Sequence, residues 1–461
     1  MNRFVTRRLV TALCATGMLG LSTGAMASAF QLWEQSGASV GNYHAGYAAS
    51  AEDASTAWFN PAGITKFKHQ QIVVGGAAIM SSFKYRGDVS FSSTTPLPPV
   101  NFTGVTAQGG AFGIVPDFHY VTPITEKLGF GFGIVAPFGL KTDYGSSTPM
   151  RYAATRTSIT VVDISPSLAY EINKQFSLGL GFDVQRAMGE FDNVSGSRSP
   201  VPPFAYRPAS DTTATNKANG TGYGYHAGIM YDLSPDTRFG LSYHSQVVHH
   251  LTGTSKFVGP IAQTLNAGTN PGYGVIASNR AKVNITLPPY TALSAFHHLA
   301  PKWNLMGSVI FTQWNTFKAL NFQGLAGAVP APAPFFVRGS SGFNATIPEN
   351  YRNTWNVSVG ADYAATETFT LRSGIGFDQT PVSNAERNVQ LPDNNRYVIA
   401  LGGHYKATKT VAVDLGWTHL FMPQSRVSPG PLTTGAKTVT TSGNVNGGAD
   451  VFGGQITWDI C

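Results

Sequence analysis

Apolar and polar residues alternate strictly through long parts of the chain. Phe176, Leu178, Leu180, Phe182 and Val184 are interleaved with Ser177, Gly179, Gly181, Asp183 and Gln185. The same period of two runs through 355–363, 369–378 and 411–418. Such a period predicts strands with one greasy and one polar face. Nine or ten alternating positions match a tilted strand crossing a bilayer better than an ordinary soluble strand. About fourteen strands are predicted, near 70–82, 111–121, 127–137, 153–170, 176–191, 221–232, 237–251, 281–299, 303–315, 352–363, 368–379, 396–407, 410–421 and 448–460.

The connections sort by parity. Links leaving even-numbered strands are tight, as in Leu233-Ser234-Pro235-Asp236, Ala300-Pro301-Lys302 and Thr408-Lys409, whereas most links leaving odd-numbered strands are long. Short turns on one side and long loops on the other are the pattern of an outer-membrane barrel, and a soluble sandwich has no reason to adopt it. An even number of strands also lets the sheet close without an unpaired edge in lipid. Tyr363, Trp303, Trp417, Trp458, Tyr397, Tyr405 and Phe421 fall toward strand ends, where interfacial aromatics belong. The prediction is an all-β transmembrane antiparallel barrel.

One early stretch breaks the pattern. Residues 50–63 are rich in small side chains and read as a short helix, capped by Ser50 with Asp53 in its first turn and stopped before Pro61. A slim helical segment ahead of a barrel has one sensible place, the lumen. The predicted organisation is a signal peptide over 1–27, a hatch over 28–66 and a barrel over 67–461.

Composition agrees with this picture. Charged residues are only 12% of the chain, glycines number 51, and aromatics reach 12%. No apolar run after the N-terminus is long enough for a spanning helix. Arg3, Arg7 and Arg8 precede an apolar run over 9–21 and the small residues Ala25-Met26-Ala27, the layout of a secretory signal. Cys14 lies inside that segment, so only Cys461 is left, with no internal disulfide or cysteine metal site. Removing three arginines leaves 28 basic against 24 acidic residues, a net charge of +4, which suits an anionic lipid surface and argues against nucleic acid. Enzymatic chemistry finds no support. There is no Gly-x-Ser-x-Gly elbow, and His249-His250 and His297-His298 fall at opposite ends of the strands. No cofactor is expected. A water-filled porin or an adhesin is the weaker alternative, given the sparse lumen charge and the plug-like segment.

The mature start Ser28-Ala29-Phe30-Gln31-Leu32-Trp33-Glu34-Gln35-Ser36-Gly37, with Ala51-Glu52-Asp53-Ala54 and Asn60-Pro61-Ala62, resembles the FadL family of outer-membrane channels for hydrophobic compounds. Further matches are Ile114-Val115-Pro116-Asp117-Phe118-His119-Tyr120, Gly139-Leu140-Lys141-Thr142, and Leu391-Pro392-Asp393 with Arg396-Tyr397. The resemblance spans nearly the whole mature chain. It implies a fourteen-stranded barrel, closed by an N-terminal hatch, that carries long-chain fatty acids or similar greasy molecules inward. A monomer seated among outer-membrane lipid and lipopolysaccharide is the expected setting.

Within this frame Asp53, Trp58, Phe59, Asn60, Pro61 and Ala62 are candidate hatch residues, and Phe30, Leu32 and Trp33 are placed near the ligand. Asn60-Pro61 reads either as a simple turn or as a plug element whose amide ties it to the wall. Arg238, Arg372, Asp117, Asp163, Asp378 and Asp414 are candidate wall partners. In the third strand, Ala136-Pro137-Phe138-Gly139 breaks the ladder, because proline lacks the donor and glycine the side chain. This is either a bulge at the rim or, as the resemblance implies, a kink that lets ligand leave sideways. Val201-Pro202-Pro203-Phe204 and the apolar run 325–336 form either a capture groove or a cover over the mouth. Lys141, Arg156 and Arg186 are candidate contacts for a carboxylate head group or lipopolysaccharide phosphate. Basic head-group positions of the family fall nearest Asn193 and Phe343 here, which keeps a neutral hydrocarbon open as the ligand.

Overall fold

The computed structural model describes residues 29–93, 98–197, 205–206, 208–262, 274–331 and 337–460. The expected signal peptide, Val201–Phe204, the end of the 325–336 run and Cys461 lie outside them. Fourteen antiparallel strands close into a barrel. The first seven are β1 (Gln70–Ser93), β2 (Phe112–Pro123), β3 (Leu128–Asp143), β4 (Arg156–Glu171), β5 (Phe176–Ser195), β6 (Thr212–Asp232) and β7 (Thr237–His244). The rest are β8 (Tyr290–Ala300), β9 (Trp303–Thr312), β10 (Thr354–Ala364), β11 (Phe369–Asp378), β12 (Arg396–Lys406), β13 (Val411–Val427) and β14 (Lys437–Ile460). Consecutive strands pair, and β1 closes on β14 from Gln70–Ile460 to Ser93–Lys437, so no edge faces lipid.

Alternation becomes sidedness. Leu180, Phe182, Leu401 and Leu415 are exposed on the outer face, while Ser177, Asp183, Gln185 and Asp414 are buried inside. Trp303, Tyr405 and Trp458 mark the turn side of this belt, and Trp355, Tyr397 and Phe421 its outer side. Turns leaving even strands are tight throughout, for example 172–175 and 301–302.

Two predicted strands are each broken. The segment near 237–251 leaves the barrel at Ser245, and that near 281–299 breaks at Pro288-Pro289, which cannot extend a ladder. The displaced pieces, Val247–Gly259 and Gly274–Leu287, pair with each other above the membrane. With Val100–Gln108, Ala319–Pro330, Val337–Pro348 and Leu432–Thr434 they prolong the wall outward. The apolar run at 325 is thus part of a hairpin. The third strand also differs: it continues to Asp143 instead of ending at Pro137.

The hatch is likewise not one helix. It consists of a 3-10 turn (Ser39–Asn42), α1 (Tyr47–Ser50), α2 (Thr56–Phe59) and a second 3-10 turn (Pro61–Lys66). Ser50 caps no helix. It ends α1, and Ala51 turns the chain through a left-handed conformation (φ 45°). Local propensity gives way here to anchoring: the segment between the helices spreads its acidic side chains toward the wall. Almost every residue from 29 to 65 is buried by the surrounding strands.

Candidate functional site

The hatch docks through hydrogen bonds and close backbone approaches. The Asn60 amide donates to Ala48 O at 2.6 Å and to Ile229 O of β6 at 3.1 Å, while its Oδ1 accepts from Ala62 N at 3.1 Å. A Cβ on Gly228 would lie 1.8 Å from Asn60 Oδ1, and one on Gly240 would lie 1.8 Å from Ala48 O. Glycine at these inward positions is therefore required by contact with the hatch. Pro61 and Ala62 press in the same way on Gly179. Trp58 packs at a tilt against His244 with ring centroids 4.5 Å apart, and Phe59 packs edge-on to Tyr47.

Charges anchor the turn-side face. Arg372 of β11 contacts Glu52 at 3.0 Å and Asp414 at 3.4 Å. Asp53 accepts from Gln455 at 2.6 Å, and its other oxygen accepts from Ser55 N at 2.8 Å. Arg238 donates to Ser50 O at 2.8 Å, and Lys66 pairs with Asp232. Of the expected wall partners, Arg238 and Arg372 touch the hatch directly, Asp117 meets it at the Gly37 backbone, and Asp414 does so through Arg372. Asp378 instead pairs with Arg396 at 2.9 Å, and Asp163 accepts from Gln185.

A gap opens between β2 and β3. Their pairing runs from Pro123–Gly129 to Phe118–Ile134 and stops there. On the other side, β3 pairs with β4 except at a bulge between Val135 and Phe138. Ala136 and Pro137 thus pair with neither neighbouring strand, and the donor that proline lacks removes no ladder bond. The N-terminal segment lines the inner side of this break. Gly139 N donates to Phe30 O at 2.8 Å, and Leu32 N donates to Pro137 O at 2.9 Å. Beside it, Ala29 N donates to Asp393 at 3.0 Å, and Asp393 also pairs with Arg396.

Above the gap lies a largely apolar cavity with about 980 Å³ of empty space, part of it open to solvent. Its walls include Phe30, Leu140, Ile159 and Phe191 near the barrel mouth, Phe317 from a loop, and Leu320, Phe322, Leu325 and Phe343 from the outer strands. Phe30 belongs to both features, since its ring meets Phe138 at 5.9 Å, Trp314 at 4.9 Å and Phe317 at 5.4 Å. Leu32 and Trp33 do not reach the cavity. Leu32 packs with Val40, Ile79 and Val115, and Trp33 packs on Tyr290 at 5.9 Å.

Among the described residues, no lysine or arginine lines the cavity, whose polar members include Asn193, Glu349, Asn388 and Gln390. Lys141, Arg156 and Arg186 stand one position from the inward-facing Leu140, Thr157 and Ala187, so a period of two turns them outward. Lys141 meets Phe112 O at 3.3 Å, Arg156 pairs with Glu190 at 3.4 Å, and Arg186 bonds Thr221 at 3.2 Å. Sequence reasoning missed Glu349, Trp314 and Phe317, which sit in irregular loop where no period marks an inward side. Burial pushes the Glu349 carboxyl up to about 8, against its hydrogen bonds with Tyr351 and Asn388.

The sequence matches, over residues 18–459, the family described as outer membrane protein transport protein (OMPP1/FadL/TodX). It is 30% identical over 436 residues to outer membrane protein P1 of Haemophilus influenzae, covering 88% of this chain and 89% of that protein. It is 27% identical over 429 residues to the long-chain fatty acid transport protein of Salmonella typhi, covering 89% and 91%. The same fold is found in a Pseudomonas aeruginosa FadL homologue, with a TM-score of 0.77 and 23% identity over 94% of this chain and 99% of that one. The Pseudomonas putida toluene transporter TodX gives a TM-score of 0.65 and 15% identity, again over 94% and 99%. With a hatch-filled barrel, an apolar cavity at its mouth and a sequence match over almost its whole length, the chain belongs to the FadL family of outer-membrane transporters of hydrophobic compounds.

Proposed function

We propose that this barrel takes up long-chain fatty acids, capturing them in the outer cavity, passing them by the hatch N-terminus and releasing them sideways between β2 and β3. The observation that carries this reading is the position of Phe30. Its ring lines the cavity while its carbonyl is held by Gly139 at the gap, so one short segment separates the two. Sideways release fits an oily cargo. A chain of about sixteen methylenes entering water would forfeit about 13 kcal/mol at ~0.8 kcal/mol per CH₂. An exit into lipid avoids that cost. A FadL-family relative named as a long-chain fatty acid transport protein favours the same cargo.

One observation favours a second reading. Among the described residues no cation lines the cavity, and its buried Glu349 is largely protonated at neutral pH, so none of them pairs with a carboxylate. Uncharged or aromatic hydrocarbon would satisfy such a site, and a toluene transporter shares the fold. Uptake of radiolabelled oleate by cells with and without the protein decides between them. A protein-dependent rise in oleate uptake is expected. Equal oleate uptake with altered toluene uptake would overturn the fatty-acid reading.

A further inference from the structure

Beneath α2 the wall carries a cluster that transport does not use. Asp183 of β5, His226 of β6 and His244 of β7 are all buried, and each places a ligand-type atom within 4.8 Å of the others. His226 Nδ1 lies 2.6 Å from Asp183 Oδ1. Its Nε2 lies 2.9 Å from Ser167 Oγ and 3.2 Å from the carbonyl of Ala57 in the hatch. His244 stacks on Tyr290 and meets the tilted ring of Trp58, is 4% exposed, and has no well-formed hydrogen bond at either ring nitrogen. The Trp58 main chain lies beside it.

The hydrogen-bond accounting at this cluster closes at His226 but not at His244. A proton on His226 Nδ1 is donated to Asp183 Oδ1, and the Ser167 hydroxyl donates to Nε2. Both ring nitrogens of His244 are buried without a well-formed bond. Two carboxylates also crowd together here. Asp163 stands beside Asp183, with Oδ2 accepting from Gln185 at 2.7 Å and Oδ1 unpartnered. Among the described residues, neither aspartate is ion-paired with a lysine or arginine. A divalent ion in place of the Nδ1 proton would neutralise the Asp183 carboxylate, leave the ring proton on Nε2 to face the Ala57 carbonyl, and give His244 a partner.

We therefore infer a binding site for a late first-row divalent cation, Zn²⁺ being the representative ion, held by Asp183, His226 and His244. Two imidazoles and a carboxylate are a common protein ligand set for zinc. The remaining nitrogen of His226 donates to a backbone carbonyl, the usual arrangement behind a metal-bound histidine. That carbonyl belongs to Ala57, so the ion braces the wall at the point where α2 docks. The assignment is independent of the cargo.

The test uses the purified full-length protein in detergent, equilibrated with Zn²⁺ or Co²⁺ and then freed of loose metal. One equivalent of bound Zn²⁺ is expected, with visible Co²⁺ absorption of imidazole–carboxylate type and a higher melting temperature than the metal-free protein. Asp183→Asn and His244→Phe should each lose that equivalent and the melting shift. His244→Phe keeps a ring against Tyr290 and Trp58, and circular dichroism verifies its barrel. A His297→Ala, His298→Ala double variant should bind as the parent does. No stoichiometric metal on the folded parent, or undiminished binding in folded His244→Phe, would overturn the site.

Discussion

Replacing Asn60 with alanine should loosen the hatch while sparing the barrel. The side chain is fully buried and makes hydrogen bonds to Ala48 O, Ile229 O and Ala62 N. At about 1 kcal/mol net for each bond, the docked hatch loses about 3 kcal/mol. Two of the three bonds lie within the hatch, so this corresponds to roughly a hundredfold larger population with the hatch both undocked and unfolded. The wall strands keep their ladders, because Ile229 O is the wall atom that loses a bond. The assay is native-state hydrogen exchange of the Asn60 and Gly63 amides, bonded within the hatch to Thr56 O and Asn60 O, compared with amides of β5 and β6. Hatch exchange should accelerate by about two orders of magnitude, with strand exchange unchanged. Asn60→Asp separates the parts, since it keeps an acceptor for Ala62 N but donates to neither carbonyl, so it should also loosen the hatch. Acceleration below about threefold in both variants would show that the hatch is held by packing rather than by this amide.

Replacing Pro137 and Gly139 with valine should let β2 and β3 zip further, abolishing oleate uptake in a barrel with unchanged circular dichroism; unchanged uptake would rule out the sideways exit. Phe30→Ala removes the ring between cavity and gap, so equilibrium oleate binding should weaken by about tenfold as buried apolar contact is lost. Intrinsic tryptophan fluorescence, sensitive to Trp314, reads that binding. Glu349 has a native pKa of about 8, above its unfolded value, so the unfolded chain releases its proton first. Stability therefore falls as pH rises from about 4.5 to about 8 and levels beyond, by at most on the order of 5 kcal/mol. Melting temperatures of Glu349→Gln should lack this component, and parallel pH profiles of parent and variant would refute the assignment.

The sequence by itself determined the wall. Strand number, turn parity and the lipid face are local properties, because a period of two and a proline or asparagine turn act over a few residues. Even the outward aim of Lys141, Arg156 and Arg186 was legible, since each sits one step from an inward residue. The kink at Pro137 was equally visible. Its consequence was not, because an opening depends on where β2 stops pairing, which is set by register across the sheet. The four-piece hatch escaped for the same reason: Glu52 and Asp53 are drawn to Arg372 and Gln455, far along the chain, and that anchoring overrides helix propensity. Tertiary structure alone folded the outer strands over the mouth to make the cavity, and it alone brought Asp183, His226 and His244 together beneath Ala57. Barrel curvature turns separate strands toward one point, and no linear spacing records that convergence.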